Sequence, residues 1–532
     1  MTKVAVATNL RGANRVKAAV SSLVFYKLSS TLIPISQSAT PYLPQSLTII
    51  SLTITTSSAL SALQAAFPAE QIALPGSERF DARIKSYLSL LQSEITPSAI
   101  FLPKNKEEVA SFLKILQEHG ETFAIRGGGQ QPLPGCSNVE GGITLDLVNI
   151  TGVDLNDKND VVSIGPGERW GAVYKKLHEK GLSVTGARSG NNGVGGLALS
   201  GGLSFFSSRK GLVCDNVVNY QVVLASGQVV NANEKENADL FKALRGGGNN
   251  FGVVTRFDMR TFKQGPFWGG AVFYFPDQFS AQIDALVDDL RRPDASEEAH
   301  IMISLFFAAQ MGQVLGLNQV YYTQEVQTPP DIQPFVAMQP QMDQLNSMRM
   351  ATVKAAAEEH AAVAMTGVRC AYVNTTVKAD SATLKAAAKV FSEALEKVKG
   401  FEGVVFSFTL QPYALWLLEK TSRFGGNIMN LNSKNGPLIS ILILMFWKNA
   451  SDDEIILTQS REVLAAIDQD AEARGTIFPY KYLNYAFSFQ DPINSYGEEN
   501  KKVMLEVSKK YDPNGLFQKG AVGGFKLSAS QG

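Results

Sequence analysis

Four glycine-rich stretches within about 130 residues constrain this chain more than any other feature of its sequence. They are "RGGG" at 126–129, "GPG" at 165–167, "GNNGVGGLALSGG" at 190–202 and "RGGGNNFG" at 245–252. Glycine has no Cβ, so backbone N–H groups can approach a neighbour closely at such points. A single stretch indicates only a tight turn in a β-rich domain. The four together predict a long, phosphate-bearing ligand that is held by backbone amides at several places.

The pattern along the chain predicts four segments. A length of 532 residues is too great for one hydrophobic core. Residues 1–65 are rich in Ser and Thr and contain no acidic residue, which predicts a targeting segment or a poorly ordered extension. Residues 66–265 alternate short strands, helices and glycine turns, as an α+β domain does. In 266–478, apolar strand-like runs alternate with amphipathic helices, which predicts an antiparallel sheet with helices on one face. Residues 479–527 form a C-terminal segment with a strand, a turn and a helix.

Composition excludes several classes of function. Basic and acidic residues are equal at 49 each, so no overall charge favours nucleic acid as a partner. The three cysteines are scattered and predict no disulfide framework. The four histidines lie far apart and show no metal-ligand spacing, so no metal is expected. Two of them, His300 and His360, are interpreted as surface histidines or as hydrogen-bonded core histidines.

One glycine pattern suggests a nicotinamide dinucleotide site. Gly193, Gly195 and Ala198 have the spacing of the dinucleotide fingerprint, and Asp215 follows about 20 residues later. However, the preceding "GARSGNN" predicts a loop instead of a strand, and "SGG" interrupts the helix that should follow. The pattern is therefore rejected as a Rossmann fingerprint.

The same region resembles a different family of dinucleotide-binding proteins. The run "GARSGNNGVGGLALSGG…DLFKALRGGGNNFGVVT" (186–255) is similar to the FAD-binding domain of the vanillyl-alcohol oxidase superfamily. The similarity is closest to fungal members related to berberine bridge enzyme and 6-hydroxynicotine oxidase. It continues through "RFGGNIMNLN" (423–432) and "YLNY…YGEEN…YDPNGLF", and so covers about 96–520. It implies an α+β, two-domain PCMH-type fold, with FAD in the N-terminal domain and the substrate-domain sheet over the flavin ring.

The resemblance also implies which residues contact FAD. In the first loop they are Arg126, Gly127, Gly128, Gly129 and Gln130, followed by Gly135 and Asn138. In the second loop they are Ser189, Asn192, Gly193, Gly195, Gly196 and Leu203. On the adenine side they are Gly247, Gly248, Gly252, Val253 and Val254. Tyr482 and Asn484 match the family's Y-x-N element beside the flavin and are the predicted catalytic residues.

Three departures from the family pattern matter. Many relatives bear a histidine, linked to the flavin 8α-methyl group, where this chain has Gln130. Some bear a cysteine, linked to C6, where this chain has Ser189. Neither an amide nor a hydroxyl is expected to form these links, and Cys136 matches no linking position, so we expect noncovalent FAD. Phe487 stands where an aspartate is common.

The resemblance implies an FAD-linked oxidase or dehydrogenase with O₂ as electron acceptor. The apolar and aromatic runs "SLFFAAQ" and "VVFSFTL" predict an apolar cleft, and so a small hydrophobic secondary metabolite as substrate. Tyr482 would take a proton from the substrate as hydride leaves to flavin N5. A phenol with a pKa near 10 needs a neighbouring cation for this role, and Lys481 is one candidate. The alternative is that Tyr482, like Tyr480 and Tyr485, is a strand residue that packs the sheet, and that Lys481 is solvated.

Two other functions stay open at this stage. One is a redox-neutral cyclase that uses the flavin pocket as a scaffold, and the other is a flavin-binding protein without turnover. Localisation is open as well, because the glycosylation sequons at Asn149, Asn374 and Asn449 matter only in the secretory route.

Overall fold

The computed structural model describes residues 57–528, which form three β-sheets with helices packed between and around them. The α-helices are, in chain order, Ser58–Ala66, Glu78–Ile84, Leu90–Ser93, Lys106–His119, Trp170–His178, Val194–Leu199, Ser207–Lys210, Ala238–Leu244, Phe279–Arg291, Gln333–Val336, Val353–Ala362, Ser381–Val398, Leu415–Lys420, Asp453–Ala473 and Glu498–Tyr511. Within the described part of the chain, no helix has both the length and the apolar character needed to span a membrane.

The first sheet has four strands and supports the first glycine loop. Their spatial order is Ile72–Ala73, Ala99–Phe101, Ile143–Asp146 and Phe123–Arg126. The helix Lys106–His119 packs on this sheet and buries Val109, Phe112, Leu113 and Leu116. The helix begins where the Asn105 side chain accepts from the Glu108 N–H, and it ends at Gly120, whose φ of 64° suits glycine.

One helix corrects the predicted N-terminal boundary. Ser58–Ala66 lies inside the segment 1–65 that the sequence assigned to an extension, yet Ala59, Leu60 and Leu63 are buried against the first sheet's core. The Ser57 side chain accepts from the Leu60 N–H and caps this helix. Three small or apolar residues on one helical face outweigh the basic, hydroxyl-rich composition. The prediction for residues 1–56 lies outside the described residues.

The second sheet has six strands and carries the other glycine loops. Its order is Val153–Leu155, Val161–Ile164, Val253–Lys263, Val217–Val223 and Val229–Asn233, with Leu182–Val184 paired to the far end of Val253–Lys263. All of these pairs are antiparallel.

The third sheet is the predicted antiparallel sheet of the second domain, and it has eight strands. The order is Arg349–Ala351, Phe267–Tyr274, Gln313–Tyr322, Ala299–Ala308, Val405–Tyr413, Leu438–Trp447, Arg369–Lys378 and Ile477–Phe478. Residues of the helices Phe279–Arg291, Ser381–Val398 and Asp453–Ala473 share one hydrophobic core with alternate residues of these strands. The helices therefore cover one face of the sheet, and the other face is left for the site.

The C-terminal segment returns across both halves of the molecule. The strand predicted around 480–485 is wrong, since this stretch runs into the 3₁₀ turn Leu483–Tyr485. The side chain of Asn374 makes the two hydrogen bonds to Tyr482 that the backbone of a neighbouring strand would otherwise make. Its Oδ1 accepts from the Tyr482 N–H at 2.8 Å, and its Nδ2 donates to the Tyr482 carbonyl at 3.0 Å. Farther on, the Val522 N–H donates to the Phe123 carbonyl and attaches the segment to the first sheet.

Candidate active site

A cavity of about 630 Å³ lies between the glycine loops and the open face of the eight-stranded sheet. The strand Val405–Tyr413 shows why the sheet supplies one wall, because successive side chains of a strand point to opposite faces. Phe406, Phe408 and Leu410 pack into the core beneath the helices. Thr409 and Gln411 alternate with them and line the cavity.

Two glycine loops touch each other directly at the cavity. A Cβ added to Gly128 would lie 2.6 Å from the Cα and N of Gly193, and the reverse holds for Gly193. Arg169 joins the loops further: its Nη2 donates to the Gly128 carbonyl at 3.0 Å, and its Nη1 donates to the Asn191 carbonyl. The sequence analysis missed Arg169, because nothing in its local pattern indicates that it bridges two distant loops.

The first loop leaves hydrogen-bond donors free for a ligand. Within residues 57–528, the backbone N–H groups of Gly128, Gly129 and Gln130 have no protein acceptor. These N–H groups lie near Arg169, where the contact between Gly128 and Gly193 leaves no room for a Cβ. Such a set of free backbone donors suits a pyrophosphate. The residues present therefore fit FAD.

Most of the residues predicted to contact FAD lie along this one cavity. They are Gly127, Gly128, Gly129, Gln130, Ser189, Asn192, Gly193, Gly195, Gly196, Leu203, Gly248, Gly252, Val253, Val254, Tyr482 and Asn484. Four other predicted residues, Arg126, Gly135, Asn138 and Gly247, do not line it.

Arg126 and Asn138 support the first loop from behind. The buried Arg126 donates to the Arg83 carbonyl at 2.8 Å and lies 3.5 Å from an oxygen of Asp146. Its guanidinium also stacks over the Tyr87 ring, 3.6 Å from the centroid. Asn138 donates to two backbone carbonyls and is fully buried. The predicted contact of these two side chains with FAD is therefore corrected: they bond to the protein and hold the loop in place.

The other two off-wall residues are glycines in backbone turns or tight packing. Gly135 has a φ of 76°, which favours glycine in its turn. At Gly247, a Cβ would lie 2.4 Å from the Ala243 carbonyl oxygen and 2.5 Å from the Phe251 ring. Glycine is therefore favoured at 135 by the backbone conformation and required at 247 by the packing.

Tyr482 is buried at the cavity wall in a network of hydrogen bonds. Its hydroxyl oxygen accepts from the Leu203 N–H at 3.1 Å and from Asn484 Nδ2 at 3.0 Å. Asn484 Nδ2 also lies 3.2 Å from the Ser200 carbonyl. Burial raises the pKa of Tyr482, while the bond from Asn484 and the charge of Arg188 lower it by less. The phenol is therefore protonated at neutral pH.

The cation beside these tyrosines is Arg188, and not the candidate Lys481. Lys481 Nζ is engaged by Asp468 at 2.9 Å and by Thr375 at 2.7 Å, off the cavity wall. Arg188 Nη2 instead donates to the Tyr485 hydroxyl at 2.7 Å. The Tyr485 ring packs edge-on against Tyr482, with 4.7 Å between the ring centroids.

The interpretation of the two histidines also needs correction. His360 lines the cavity, and its Nε2 lies 2.8 Å from the Tyr321 hydroxyl. Burial, followed by the charge of Arg188, lowers the pKa of His360 to about 3. His300 is buried beside it, and its Nε2 has no partner within residues 57–528. Its pKa is also lowered, mainly by burial. One histidine is thus a wall residue, and the other is a core residue with an unpaired nitrogen.

Comparison with known proteins identifies the class to which this fold and site belong. A family model described as an FAD binding domain matches residues 97–233. The FAD-dependent monooxygenase tpcD of Cochliobolus heterostrophus is 35% identical over 453 residues, which are 82% of this chain and 86% of that protein. An FAD-dependent monooxygenase of Fusarium proliferatum is 34% identical over 458 residues, 83% of this chain and 87% of that one. The chain belongs to this family of FAD-linked oxidoreductases.

Solved structures confirm the predicted two-domain PCMH-type fold. 6-Hydroxy-D-nicotine oxidase from Arthrobacter nicotinovorans has a TM-score of 0.71 at 22% identity, covering 85% of this chain and 96% of that chain. Glucooligosaccharide oxidase from Acremonium strictum has a TM-score of 0.72 at 20% identity, covering 89% and 100%. The FAD of that second oxidase is a 6-S-cysteinyl, 8α-N1-histidyl FAD.

Proposed function

We propose that this chain holds FAD noncovalently and oxidises a small hydrophobic secondary metabolite. The observation that carries the proposal is that one cavity joins the free N–H groups of the glycine loop to the cluster of Tyr482, Asn484, Arg188 and Tyr485. Bound FAD would accept a hydride and be reoxidised by O₂. The protein's own residues bind, orient and exchange protons around that centre.

The sheet wall supports a hydrophobic substrate. Its apolar lining residues are Met302, Phe306, Tyr372, Val405, Leu442, Leu444 and Phe446. Only a few polar side chains interrupt them, among them Gln319, Thr409 and Gln411. A mostly apolar cleft with a few placed polar groups is typical of a small-molecule site.

Tyr482 and Tyr485 are the proposed acid–base groups. Burial keeps Tyr482 protonated, so it can act as a base only when a nearby cation stabilises the phenolate. Arg188 supplies that charge, since it contacts Tyr485 directly and lowers the pKa of Tyr482. Asn484 fixes the Tyr482 hydroxyl from the other side at 3.0 Å.

Noncovalent attachment is proposed from the side chains at the linking positions. Gln130 and Ser189 line the cavity, and neither an amide nor an alcohol is an adequate nucleophile toward the flavin ring. Among the described cysteines, Cys136 alone lines the cavity, and burial raises the pKa of its thiol to about 12. The thiolate needed for a link is therefore scarce at neutral pH.

Acid precipitation of the purified yellow protein tests both the cofactor and its attachment. We expect a colourless pellet and a supernatant whose flavin has the mass of FAD. FMN, or no flavin at all, would contradict FAD binding. A yellow pellet would contradict noncovalent attachment, and its loss in Cys136→Ser would locate the link. Gln130→His should permit some covalent attachment.

Anaerobic mixing with a panel of hydrophobic alcohols and phenols tests the redox step. Bleaching of the flavin absorbance band supports oxidation, whereas product without bleaching or O₂ uptake supports the redox-neutral cyclase. The names of the fungal relatives favour oxygen insertion as a second candidate function. Turnover under ¹⁸O₂ with NADH or NADPH as reductant separates the two. A monooxygenase puts one labelled atom into the product and reduces the other to water, whereas an oxidase releases both as labelled H₂O₂.

A further inference from the structure

Arg188 is a cation on the cavity wall, and no carboxylate among the described residues pairs with it. Among residues 57–528, its guanidinium donates to the Tyr485 hydroxyl at 2.7 Å and to the Met302 sulfur, and it forms no ion pair. Two other buried arginines have carboxylate partners, whereas the fully buried Arg245 donates to three backbone carbonyls instead. Arg126 lies beside Asp146, and Arg369 is paired with Glu94 and Asp453.

The groups that face Arg188 from the surrounding elements do not supply the missing negative charge. They are Tyr482 and Tyr485 from the C-terminal segment, His300 and His360 from the substrate domain, and Tyr413 from the strand Val405–Tyr413. The carboxylate of Glu359, whose charge reaches Tyr321, is engaged by Arg349 at 2.7 Å and by Ser347 at 2.9 Å. A half-buried cation among neutral groups is costly unless an anion joins it.

We propose that Arg188 binds an oxyanion of the substrate, so that the substrate class is a hydrophobic acid: a carboxylic acid, an acidic phenol or an enol. This inference rests on the proposed function, and it narrows the metabolite that the cavity accepts. A guanidinium donates to oxygen anions through several N–H groups at once, and these charge-assisted bonds are stronger than neutral ones.

The contacts of Arg188 place its guanidinium beside the sheet wall of the cavity. Its two partners are Met302, on the strand Ala299–Ala308, and Tyr485, whose hydroxyl lies 3.4 Å from Gln411 Oε1 on the strand Val405–Tyr413. Both strands belong to the eight-stranded sheet, opposite the glycine loops. An anionic head at Arg188 would leave the hydrophobic body of the ligand against Phe306 and Leu444.

Two probes of equal shape test the inference on the FAD-loaded protein. They are 2-naphthoate, which is anionic at neutral pH, and 2-naphthamide, which is neutral; binding is followed by the change in the flavin absorbance spectrum. We expect the wild type to bind naphthoate at least about tenfold more tightly, the usual scale of a charge-assisted pair. Arg188→Gln should abolish the preference, and Arg188→Lys should keep part of it. Arg256→Gln is the matched control, since Arg256 pairs with Asp258 at 2.8 Å and does not line the cavity.

The outcomes separate this inference from the function on which it rests. A wild type without preference for naphthoate, including one that binds neither probe, overturns the inference. So does an Arg188→Gln variant that keeps the preference. If Arg188→Gln shifts the flavin reduction potential but leaves naphthoate binding unchanged, Arg188 serves the cofactor and the inference is wrong. Purified protein that carries no flavin contradicts the proposed function itself.

Discussion

The two walls of the cavity are built from different parts of the polypeptide. The loop wall presents backbone: Gly128 and Gly193 approach so closely that neither position has room for a Cβ. The sheet wall presents side chains, such as Thr409 and Gln411, at alternate positions of a strand. The loop wall therefore offers a ligand backbone N–H donors, whereas the sheet wall offers it side chains that differ in size and polarity.

If the chemistry depends on side chains beside the sheet, removal of one hydroxyl should reduce the rate of turnover strongly and leave the amount of bound FAD unchanged. Tyr482→Phe removes the oxygen that accepts from Leu203 and Asn484. We expect kcat to fall by about 10²–10⁴-fold, the usual loss for a positioned acid–base group, with the flavin content unchanged. Asn484→Ala should reduce kcat in the same direction. Both effects are measured by steady-state kinetics on protein of known flavin content.

Lys481→Met is the matched control for this prediction. Its ammonium group is bound to Asp468 and Thr375 away from the cavity, so turnover should stay close to that of the wild type. Unchanged kinetics in Tyr482→Phe would remove that residue from the mechanism and leave Tyr485 as the candidate.

The loop wall should respond in the opposite way, by losing cofactor. In Gly128→Ala, the new Cβ would lie 2.6 Å from the Gly193 backbone, and two backbones can relieve this contact only by moving apart. Overpacking of this kind costs roughly 1–3 kcal/mol, which corresponds to FAD binding weakened by up to about 100-fold. The ratio of flavin to protein after gel filtration measures the effect. Gly400→Ala, where a Cβ meets no atom within 4 Å, should keep its flavin. An equally yellow Gly128→Ala protein would contradict the role of the contact.

The loop wall was largely predictable from sequence, because a site built from backbone requires glycine, and glycine runs are visible in a single chain. The sequence did not show which side chains of the loop are buried. The family resemblance assigned Arg126 to the ligand together with the glycines that follow it, but its guanidinium is turned toward Arg83 and Asp146. Sequence proximity to a loop does not say which side of the loop a side chain occupies.

The sheet wall was predictable only as a sheet. The strands and helices follow from hydrophobic periodicity, but Arg188, His360 and Tyr485 come from three distant segments that meet only in the folded chain. The sequence left the role of Lys481 open for a related reason. Residues 480–485 form no strand, so alternation could not indicate which side chains face the cavity.

A third prediction concerns Asn374, which fixes the backbone of Tyr482 to the eight-stranded sheet. Asn374 is fully buried, and its amide group satisfies both backbone groups of Tyr482. Asn374→Ala leaves the buried Tyr482 N–H without its acceptor, while the Tyr482 carbonyl still accepts from the Tyr485 N–H at 2.9 Å. The lost acceptor should lower the free energy of unfolding by about 2 kcal/mol. It should also reduce kcat, since the Tyr482 hydroxyl loses its fixed position. Urea unfolding and kinetics measure the two effects, with Asn449→Ala, at another sequon, as the control. A variant as stable and active as the wild type would show that the network around the Tyr482 hydroxyl suffices.

The smallest predicted effect concerns the unpaired nitrogen behind the sheet wall. Burial lowers the pKa of His300, so the imidazole is neutral in the folded protein, whereas in the unfolded chain it takes a proton near pH 6.5. The unfolded state therefore binds more protons below that pH, and stability is lost as the pH falls. Between pH 7.5 and 5.5, one such histidine lowers the free energy of unfolding by about 1.4 kcal/mol.

His300→Gln should reduce the pH dependence of the free energy of unfolding by about that amount, measured by urea unfolding at both pH values. His178→Gln, at an exposed position, should leave it unchanged. If His300→Gln and the wild type showed the same pH dependence, His300 would be protonated in the folded protein. That result would contradict a neutral His300 imidazole behind the sheet wall.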